Sequence, residues 1–264
     1  YGGARGGGKS WAVRTKAKLM ALRYPGIRLL IVRRSYPELI NNHINTLRKE
    51  LLGIAKYNDK DKVLRFINGS TINFTYCDRD QDLDRLQGVE YDVIFLDEAT
   101  QLSEYQMKTI VACVRGVNDF PKRVYFTCNP GGQGHGYIKR LFIDRRFESG
   151  ENPADYAFIQ ALVRDNTALM QTQPEYIRQL EALPPHLRAA GLHFRRGAGA
   201  DGARGRPPRF VLQLLQFADM GRGFDLPPLR ELLGVGRRGH GRFHSGIRRT
   251  ETARKNVRIR FLVY

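Results

Sequence analysis

The sequence has few cysteines and no long apolar runs, and both scarcities exclude classes of protein. Its only cysteines, Cys77, Cys113 and Cys128, are too widely spaced for a disulfide framework or a metal site. A reducing, intracellular setting is the simplest interpretation. No apolar run approaches the roughly 18 residues of a membrane span, and we expect no signal peptide. The composition therefore predicts neither a membrane protein nor a disulfide-rich secreted one.

Acidic residues are also scarce, 26 against 44 Lys and Arg, and the net charge is +18. Residues 191–264 hold 15 Arg, 1 Lys and 5 acidic residues, a net charge of +11, which leaves +7 for residues 1–190. The charge indicates a polyanionic partner or a strongly skewed segment, and the moderate excess in residues 1–190 suits a domain that handles nucleic acid.

The start of the chain has the pattern of a phosphate-binding loop, G-x-x-x-x-G-K-S. Backbone N–H groups of such a loop surround phosphate oxygens, so we expect the nucleotide to contact Gly3, Ala4, Arg5, Gly6, Gly7, Gly8, Lys9 and Ser10. Lys9 would reach the β- and γ-phosphates, and the Ser10 hydroxyl would ligate Mg²⁺. Composition alone would favour a flexible glycine-rich terminus.

The segment after the loop favours the phosphate-binding interpretation. Residues 11–24 contain neither Gly nor Pro and predict a helix whose N-terminal dipole faces the phosphates. The strand expected before the loop would precede Tyr1, so we expect the chain to be truncated at its N-terminus.

A second key stretch delivers two adjacent carboxylates. Residues 93–96 are apolar and predict a buried strand, followed by Asp97 and Glu98. Ligands bind at the carboxyl ends of strands in open α/β sheets. Asp97 is placed to hold Mg²⁺, directly or through water, and Glu98 to orient and deprotonate an attacking water. The alternative is a simple helix N-cap.

A third strand, residues 123–128, ends in another polar group. Thr127 and Asn129 would lie at the same edge of the sheet, where Asn129 would contact the γ-phosphate or the attacking water. The alternative is that Asn129 belongs to an ordinary Asn-Pro-Gly turn.

The remaining pattern predicts an α/β fold in three layers, with a mainly parallel central sheet and helices on both faces. The Asn68-Gly69 turn between two alternating runs indicates a hairpin. Strands are predicted at 28–33, 63–67, 71–75, 93–96, 123–128 and 155–161. Helices are predicted at 11–24, 38–55, 78–87, 103–114, 137–144, 174–183 and 184–190.

Residues 1–190 resemble the ATPase domain of the large terminase subunit of tailed bacteriophages and prophages. The resemblance rests on the order and spacing of five motifs: residues 2–10, 31–34, 86–88, 93–99 and 127–130. It implies a P-loop NTPase fold of the ASCE type. It also implies an ATPase, with ATP and Mg²⁺ as cofactors, that moves double-stranded DNA into a procapsid.

The resemblance further implies partners and a location. They are double-stranded DNA, the portal protein of the procapsid and a small terminase subunit, with a homo-oligomeric ring forming on assembly. The expected location is the bacterial host cytoplasm, transiently at the portal, with no membrane association.

By position, the resemblance makes Lys9 and Ser10 phosphate and Mg²⁺ ligands, Asp97 a metal ligand and Glu98 the catalytic carboxylate. Thr127 and Asn129 fall in the motif that couples hydrolysis to movement. Arg5 occupies the place of a basic residue that can act as an arginine finger. The alternative is that Arg5 only faces solvent or a neighbouring subunit.

Residues 191–264 depart from the family and are expected to be irregular. Three interpretations stay open: a translated frameshift, a basic DNA-binding extension or a divergent remnant of the family's nuclease domain. No nuclease activity is expected. For the whole chain, the alternatives to a packaging motor are another DNA-dependent P-loop ATPase, such as a helicase, or an inactive DNA-binding fragment.

Overall fold

The computed structural model describes residues 7–159, 163, 166–182 and 258–259, all within one compact unit. Residues 1–6, the predicted helix at 184–190 and the predicted boundary after residue 190 lie outside the described residues. Where the structure describes the chain, no helix is both long and apolar enough to cross a membrane.

The described chain alternates helices and strands, as the sequence predicts. The helices are α1 (Lys9–Arg23), α2 (Tyr36–Leu39), α3 (Asn45–Glu50), α4 (Glu104–Val111), α5 (His135–Ile138), α6 (Thr167–Thr172) and α7 (Tyr176–Glu181). The strands are β1 (Arg28–Arg33), β2 (Ala55–Asn58), β3 (Val63–Phe66), β4 (Thr71–Tyr76), β5 (Val93–Leu96), β6 (Arg123–Phe126) and β7 (Arg258–Ile259). Short 3-10 segments occupy Asp80–Leu86, Ala99–Gln101 and Pro153–Asp155, and π-helical segments occupy Ile40–Ile44 and Lys139–Ile143.

The strands form one sheet in the order β2-β3-β4-β1-β5-β6-β7. β1 pairs in parallel with β4 and β5, and β6 pairs in parallel with β5 and β7. β2, β3 and β4 pair antiparallel at the other end. Because β1, β5 and β6 run in the same direction, their carboxyl ends share one edge of the sheet.

The strands at the centre are buried on both faces, as expected for a sheet covered by helices on each side. One face, including Leu30, Ile94 and Phe126, packs against Met107 and Ile110 of α4. α1 packs against β1 and β4. Each fully buried Leu, Ile or Phe side chain contributes about 1.5–3 kcal/mol of transfer free energy, so this core fixes the positions of the strand ends.

The helix predicted at 38–55 differs from the structure at both ends. A helical segment runs from α2 through the π-helix Ile40–Ile44 to α3, so it begins at Tyr36 and ends at Glu50. Gly53 has a φ of +80° and turns the chain into β2, which the sequence did not predict. The helical spacing of the leucines and isoleucines continued past the point where this glycine ends the helix.

Other predicted elements also differ in type. The helix predicted at 78–87 is a 3-10 helix over Asp80–Leu86. The strand predicted at 155–161 is wrong at its start, because Pro153–Asp155 forms a 3-10 turn. α6 was not predicted. From the segment expected to be irregular, the structure describes only Arg258 and Ile259, which form β7 beside β6.

Candidate nucleotide site

The phosphate-loop end of α1 has the geometry that an anion site requires. Gly8 caps the helix with a φ of +74°, a left-handed conformation that glycine adopts without strain. Ala12 N donates to Gly8 O at 2.9 Å and begins the helical ladder. The N–H groups of the first turn and the positive dipole end of this 15-residue helix favour an anion. Gly7 is described, whereas Gly3, Ala4, Arg5 and Gly6 lie outside the described residues.

The two carboxylates follow β5 at the sheet edge. Asp97 is 1% exposed, and its N–H continues the pairing with β1 by donating to Val32 O at 2.9 Å. Glu98 has a φ of +56°, uncommon for a residue other than glycine. Thr127 holds this turn, because its Oγ1 accepts from Glu98 N at 3.1 Å and its carbonyl accepts from Ala99 N at 2.7 Å. Backbone strain of this kind persists only where the surroundings fix it.

Two contacts bring the first turn of α1 to these strand ends. Ser10 Oγ donates to Asp97 Oδ2 at 3.1 Å, and Lys9 Nζ donates to Asn129 Oδ1 at 2.9 Å. Burial lowers the pKa of the Lys9 ammonium, although the negative charges of Asp97 and Glu98 oppose this shift. The structure therefore gathers residues from three separate segments into one cluster.

Asp97 is an ionised carboxylate surrounded by donors. Burial alone would raise its pKa, but His43, Arg33 and the Thr127 hydroxyl outweigh that effect and hold the pKa below its usual range. His43 Nε2 lies 2.8 Å and Arg33 Nε 3.1 Å from Asp97 Oδ2, and Thr127 Oγ1 donates to Oδ1. A buried charge is tolerated only with such partners.

Glu98 is held by side chains from three elements. Arg33 Nη2 lies 2.9 Å from Glu98 Oε1, and Gln101 Nε2 donates to Oε2 at 2.6 Å. Asn129 Nδ2 lies 3.5 Å from Oε1 while its Oδ1 accepts from Lys9, so Asn129 sits between the lysine and the glutamate. Arg33 contacts both carboxylates and so couples their positions.

The loop after β6 is fixed against the turn after Glu98. Thr100 Oγ1 donates to Asn129 O at 2.8 Å, and Gly134 N donates to Thr100 O at 3.0 Å. A Cβ on Gly132 would lie 2.3 Å from Thr100 O, and one on Gly134 would lie 2.3 Å from Leu102 O. Because real Cβ atoms do not approach so closely, both positions need glycine. A shift of Asn129 would therefore be transmitted to residues 99–102.

Arg33, His43 and Gln101 belong to the cluster, but sequence reasoning gave them no site role. The sequence pattern could have identified Arg33 as a site residue, since it ends a buried strand at the same edge of the sheet as Asp97. His43 lies 54 residues before Asp97 in an ordinary helical pattern, and no local signal identifies it.

The residues present fit a magnesium nucleotide. Mg²⁺ in such sites takes one or two protein oxygens together with phosphate oxygens and water. The Ser10 hydroxyl and the ionised Asp97 carboxylate, 3.1 Å apart, provide suitable oxygens. Within the described ranges, no group of three or more His, Cys, Asp or Glu side chains is arranged to hold a metal ion by itself.

A glycine-capped helix at the edge of a largely parallel sheet, facing carboxylates from a neighbouring strand, defines a domain with the P-loop fold. The sequence profile described as "Terminase large subunit, T4likevirus-type, N-terminal" matches residues 1–194. The chain therefore belongs to the large terminase subunit family.

Solved structures support the same fold. The chain is similar to the large terminase of a thermophilic bacteriophage in crystal form 2, with a TM-score of 0.56. It is also similar to the same phage terminase in complex with ADP, TM-score 0.58, and with ATP-gamma-S, TM-score 0.55. In each case the identity is 17%, and the match covers 72% of this chain and 46% of the phage terminase chain.

The match thus spans less than half the length of these phage terminase chains. Among curated proteins, none matches this chain.

Proposed function

We propose that this chain is the ATP-hydrolysing motor domain of a phage large terminase subunit and that it drives double-stranded DNA into a procapsid. The observation that carries the proposal is the 3.1 Å hydrogen bond between Ser10 and Asp97. It joins the first turn of α1 to the first residue of the carboxylate pair. The thermophilic phage terminase crystallised with ADP and with ATP-gamma-S supports ATP as the nucleotide.

Phosphate binding would use the start of α1. The helix dipole, the N–H groups after Gly8 and the Lys9 ammonium all favour the polyphosphate, and Arg5 would add a further positive charge as an arginine finger. Ser10 and Asp97 would hold Mg²⁺. Magnesium, when bound, neutralises charge that develops on the phosphate oxygens.

Glu98 would orient the attacking water and accept its proton. Arg33 and Gln101 hold the carboxylate in place, at 2.9 Å and 2.6 Å. Asn129 lies between Lys9 and Glu98, so it would respond to the γ-phosphate on one side and to the general base on the other.

The loop that carries Asn129 would couple hydrolysis to movement. Its contacts with Thr100 mean that a shift at the γ-phosphate is passed to the segment leading into α4. Rigidly packed elements of this kind transmit small displacements because close-packed interiors deform little.

The partners follow from the proposed motor role. The excess of 44 Lys and Arg over 26 acidic residues suits contact with the DNA backbone, which would be salt-sensitive. The portal, the small terminase subunit and a homo-oligomeric ring complete the proposal, with the host cytoplasm and the procapsid portal as its location.

The test is Glu98→Gln, with Glu90→Gln as the control. Glu98→Gln keeps size and polarity but removes the base, so nucleotide binding should persist while turnover falls by about 10²-fold or more. Glu90 lies on the surface, paired with Arg115, and its change should leave turnover unaltered. Turnover by Glu98→Gln equal to that of the unaltered chain would remove Glu98 from this role.

DNA coupling needs a separate measurement. ATP turnover should rise with double-stranded DNA and with procapsids that carry the portal. Separation of DNA strands without such stimulation would favour a helicase in place of a packaging motor.

A further inference from the structure

His43 touches the proposed metal site from outside the nucleotide motifs. It lies in the π-helical segment Ile40–Ile44, is fully buried, and places Nε2 2.8 Å from Asp97 Oδ2. Single turns of π-helix inside longer helices occur frequently at functional sites. None of the roles proposed above uses this histidine.

The direction of the hydrogen bond between His43 and Asp97 follows from the charge state of Asp97. The ionised Asp97 carboxylate can only accept, so His43 Nε2 carries the hydrogen and donates it. His43 Nδ1 is also buried, and it has no hydrogen-bond partner among the residues that the structure describes. A leucine or methionine would fill similar space without burying an unpaired nitrogen. Packing alone therefore does not explain a histidine here, whereas the contact with Asp97 does.

The other groups that contact Asp97 Oδ2, Ser10 and Arg33, would each have a second partner in the nucleotide complex. Ser10 Oγ donates at 3.1 Å but would turn towards Mg²⁺ in the nucleotide complex. Arg33 is shared between Asp97 and Glu98. Once Ser10 turns towards Mg²⁺, His43 is the remaining described group at Oδ2 whose polar contact goes to Asp97 alone.

The π-helical segment is also fixed on its other side. Arg14 of α1 donates through Nη1 to the carbonyl of Asn42, the residue before His43. Asn42 therefore contacts α1, and the next residue, His43, contacts Asp97. The segment Ile40–Ile44 thus connects α1 to this carboxylate. Displacement of this segment would move both sides of the nucleotide site together.

We propose that His43 is a positioning residue: its Nε2–H fixes the Asp97 carboxylate towards Ser10 and thereby sets the affinity of the nucleotide complex for Mg²⁺. The inference rests on the proposed function, because it assumes that a magnesium nucleotide binds here. Partners of metal-binding side chains, when removed, typically cost about 10- to 100-fold in metal affinity.

The test measures binding of a fluorescent ADP analogue to the full chain, in EDTA and then across a Mg²⁺ titration. His43→Leu removes the donor at similar volume, and His43→Gln keeps an N–H near the position of Nε2. In His43→Leu, binding in EDTA should be unchanged and the Mg²⁺ midpoint should rise about tenfold or more. In His43→Gln, the midpoint should lie close to that of the unaltered chain.

A control and a second pair of variants separate positioning from packing. Ile44→Val is a neighbouring buried change that should leave the Mg²⁺ midpoint unaltered. If His43→Leu fails to fold, His43→Asn replaces it, because the shorter amide places its N–H near Nδ1 instead of Nε2. A raised midpoint in His43→Asn but not in His43→Gln then supports the inference.

Three results would overturn the inference, and they distinguish the role of His43 from the proposed function. A folded His43→Leu with the Mg²⁺ midpoint of the unaltered chain, or equal midpoints for His43→Asn and His43→Gln, overturns the positioning role alone. Absence of Mg²⁺-dependent nucleotide binding by the unaltered chain overturns the proposed function and the role of His43 with it.

Discussion

Ser10 Oγ and Asp97 Oδ2 lie 3.1 Å apart although 87 positions separate them in the chain. The hydrogen bond joins the first turn of α1 to the end of β5. In the proposed function it would leave little freedom in where a magnesium nucleotide binds, because one ligand would come from each side. Beside this pair, Asn129 lies between Lys9 and Glu98 and contacts both.

Arg33→Lys should impair turnover while keeping the positive charge. Lysine carries a single ammonium and cannot pair with Asp97 and Glu98 in the geometry of the guanidinium. Loss of one of these two ion-pair contacts, taken as comparable to a hydrogen bond to a charged group at about 1.5–3 kcal/mol, predicts a fall in kcat of about tenfold or more. Steady-state ATPase assays without DNA measure this effect.

The matched control is Arg34→Lys at the next position, where the side chain is exposed and pairs with Asp78. Its kcat should match that of the unaltered chain. An equal loss in both variants would mean that positive charge near this edge, and not the double contact of Arg33, supports turnover.

Gly134→Ala should destabilise the loop that follows β6. The added Cβ would lie 2.3 Å from Leu102 O and 2.6 Å from Met107 Cε. Overpacking of this kind costs about 1–3 kcal/mol, measured as a change in the free energy of unfolding in urea. ATP turnover should fall as well, since the same loop places Asn129.

Gly136→Ala provides the comparison for Gly134→Ala, since no atom of the described residues lies within 4 Å of its added Cβ and the residue is in α5. Alanine in a helix is favoured over glycine by about 0.5–1 kcal/mol, so this variant should be as stable or more stable. Destabilisation by Gly136→Ala equal to that by Gly134→Ala would refute the steric explanation.

The cysteines should be unreactive in the folded protein. All three are buried, and burial raises the pKa of Cys77 to about 12 and also raises that of Cys113. A raised thiol pKa means little thiolate at a pH of about 8, and the thiolate is the reactive form. Labelling with a thiol reagent should be slow in buffer and fast in denaturant. Rapid labelling of Cys77 without unfolding would contradict this.

Glu151→Gln should lower stability at neutral pH but not at acidic pH. The hydrogen bonds from Arg140, at 2.8 and 2.9 Å, hold the pKa of Glu151 below its usual 4.5. A lowered pKa stabilises the fold above pH 4.5, and this contribution is lost as the pH falls through the folded-state pKa. The loss at neutral pH should be about 1 kcal/mol or less, because the pair lies near the surface.

Urea unfolding of the unaltered chain and of Glu151→Gln, each at about pH 7 and about pH 3, measures the difference. Glu148→Gln serves as the control, since Glu148 is more exposed and 3.6 Å from Arg140. A difference that persists unchanged at the acidic pH would show that the charge of Glu151 is not its source.

Much of the fold follows from local patterns. The apolar run at 28–33 became β1, and the Asn68-Gly69 turn joins β3 to β4. The predictions failed where an element depends on its surroundings. β2 is an edge strand whose residues are only partly buried, so its sequence shows no clear apolar alternation. At 155–161 the apolar residues predicted a strand, but residues 153–155 form a 3-10 turn that begins at Pro153.

The sequence by itself determined the parts of the site that depend on local backbone geometry. Glycine at position 8 permits the left-handed cap of α1, and the apolar run before Asp97 and Glu98 places both at the end of a buried strand. Only the tertiary structure decided that Arg33 and His43 would meet Asp97. β1 pairs with β5, which brings Arg33 to Asp97. The Ile40–Ile44 segment packs near the carboxyl ends of these strands, which brings His43 to the same carboxylate. In that buried position each charge must find a partner, whatever the distance along the chain.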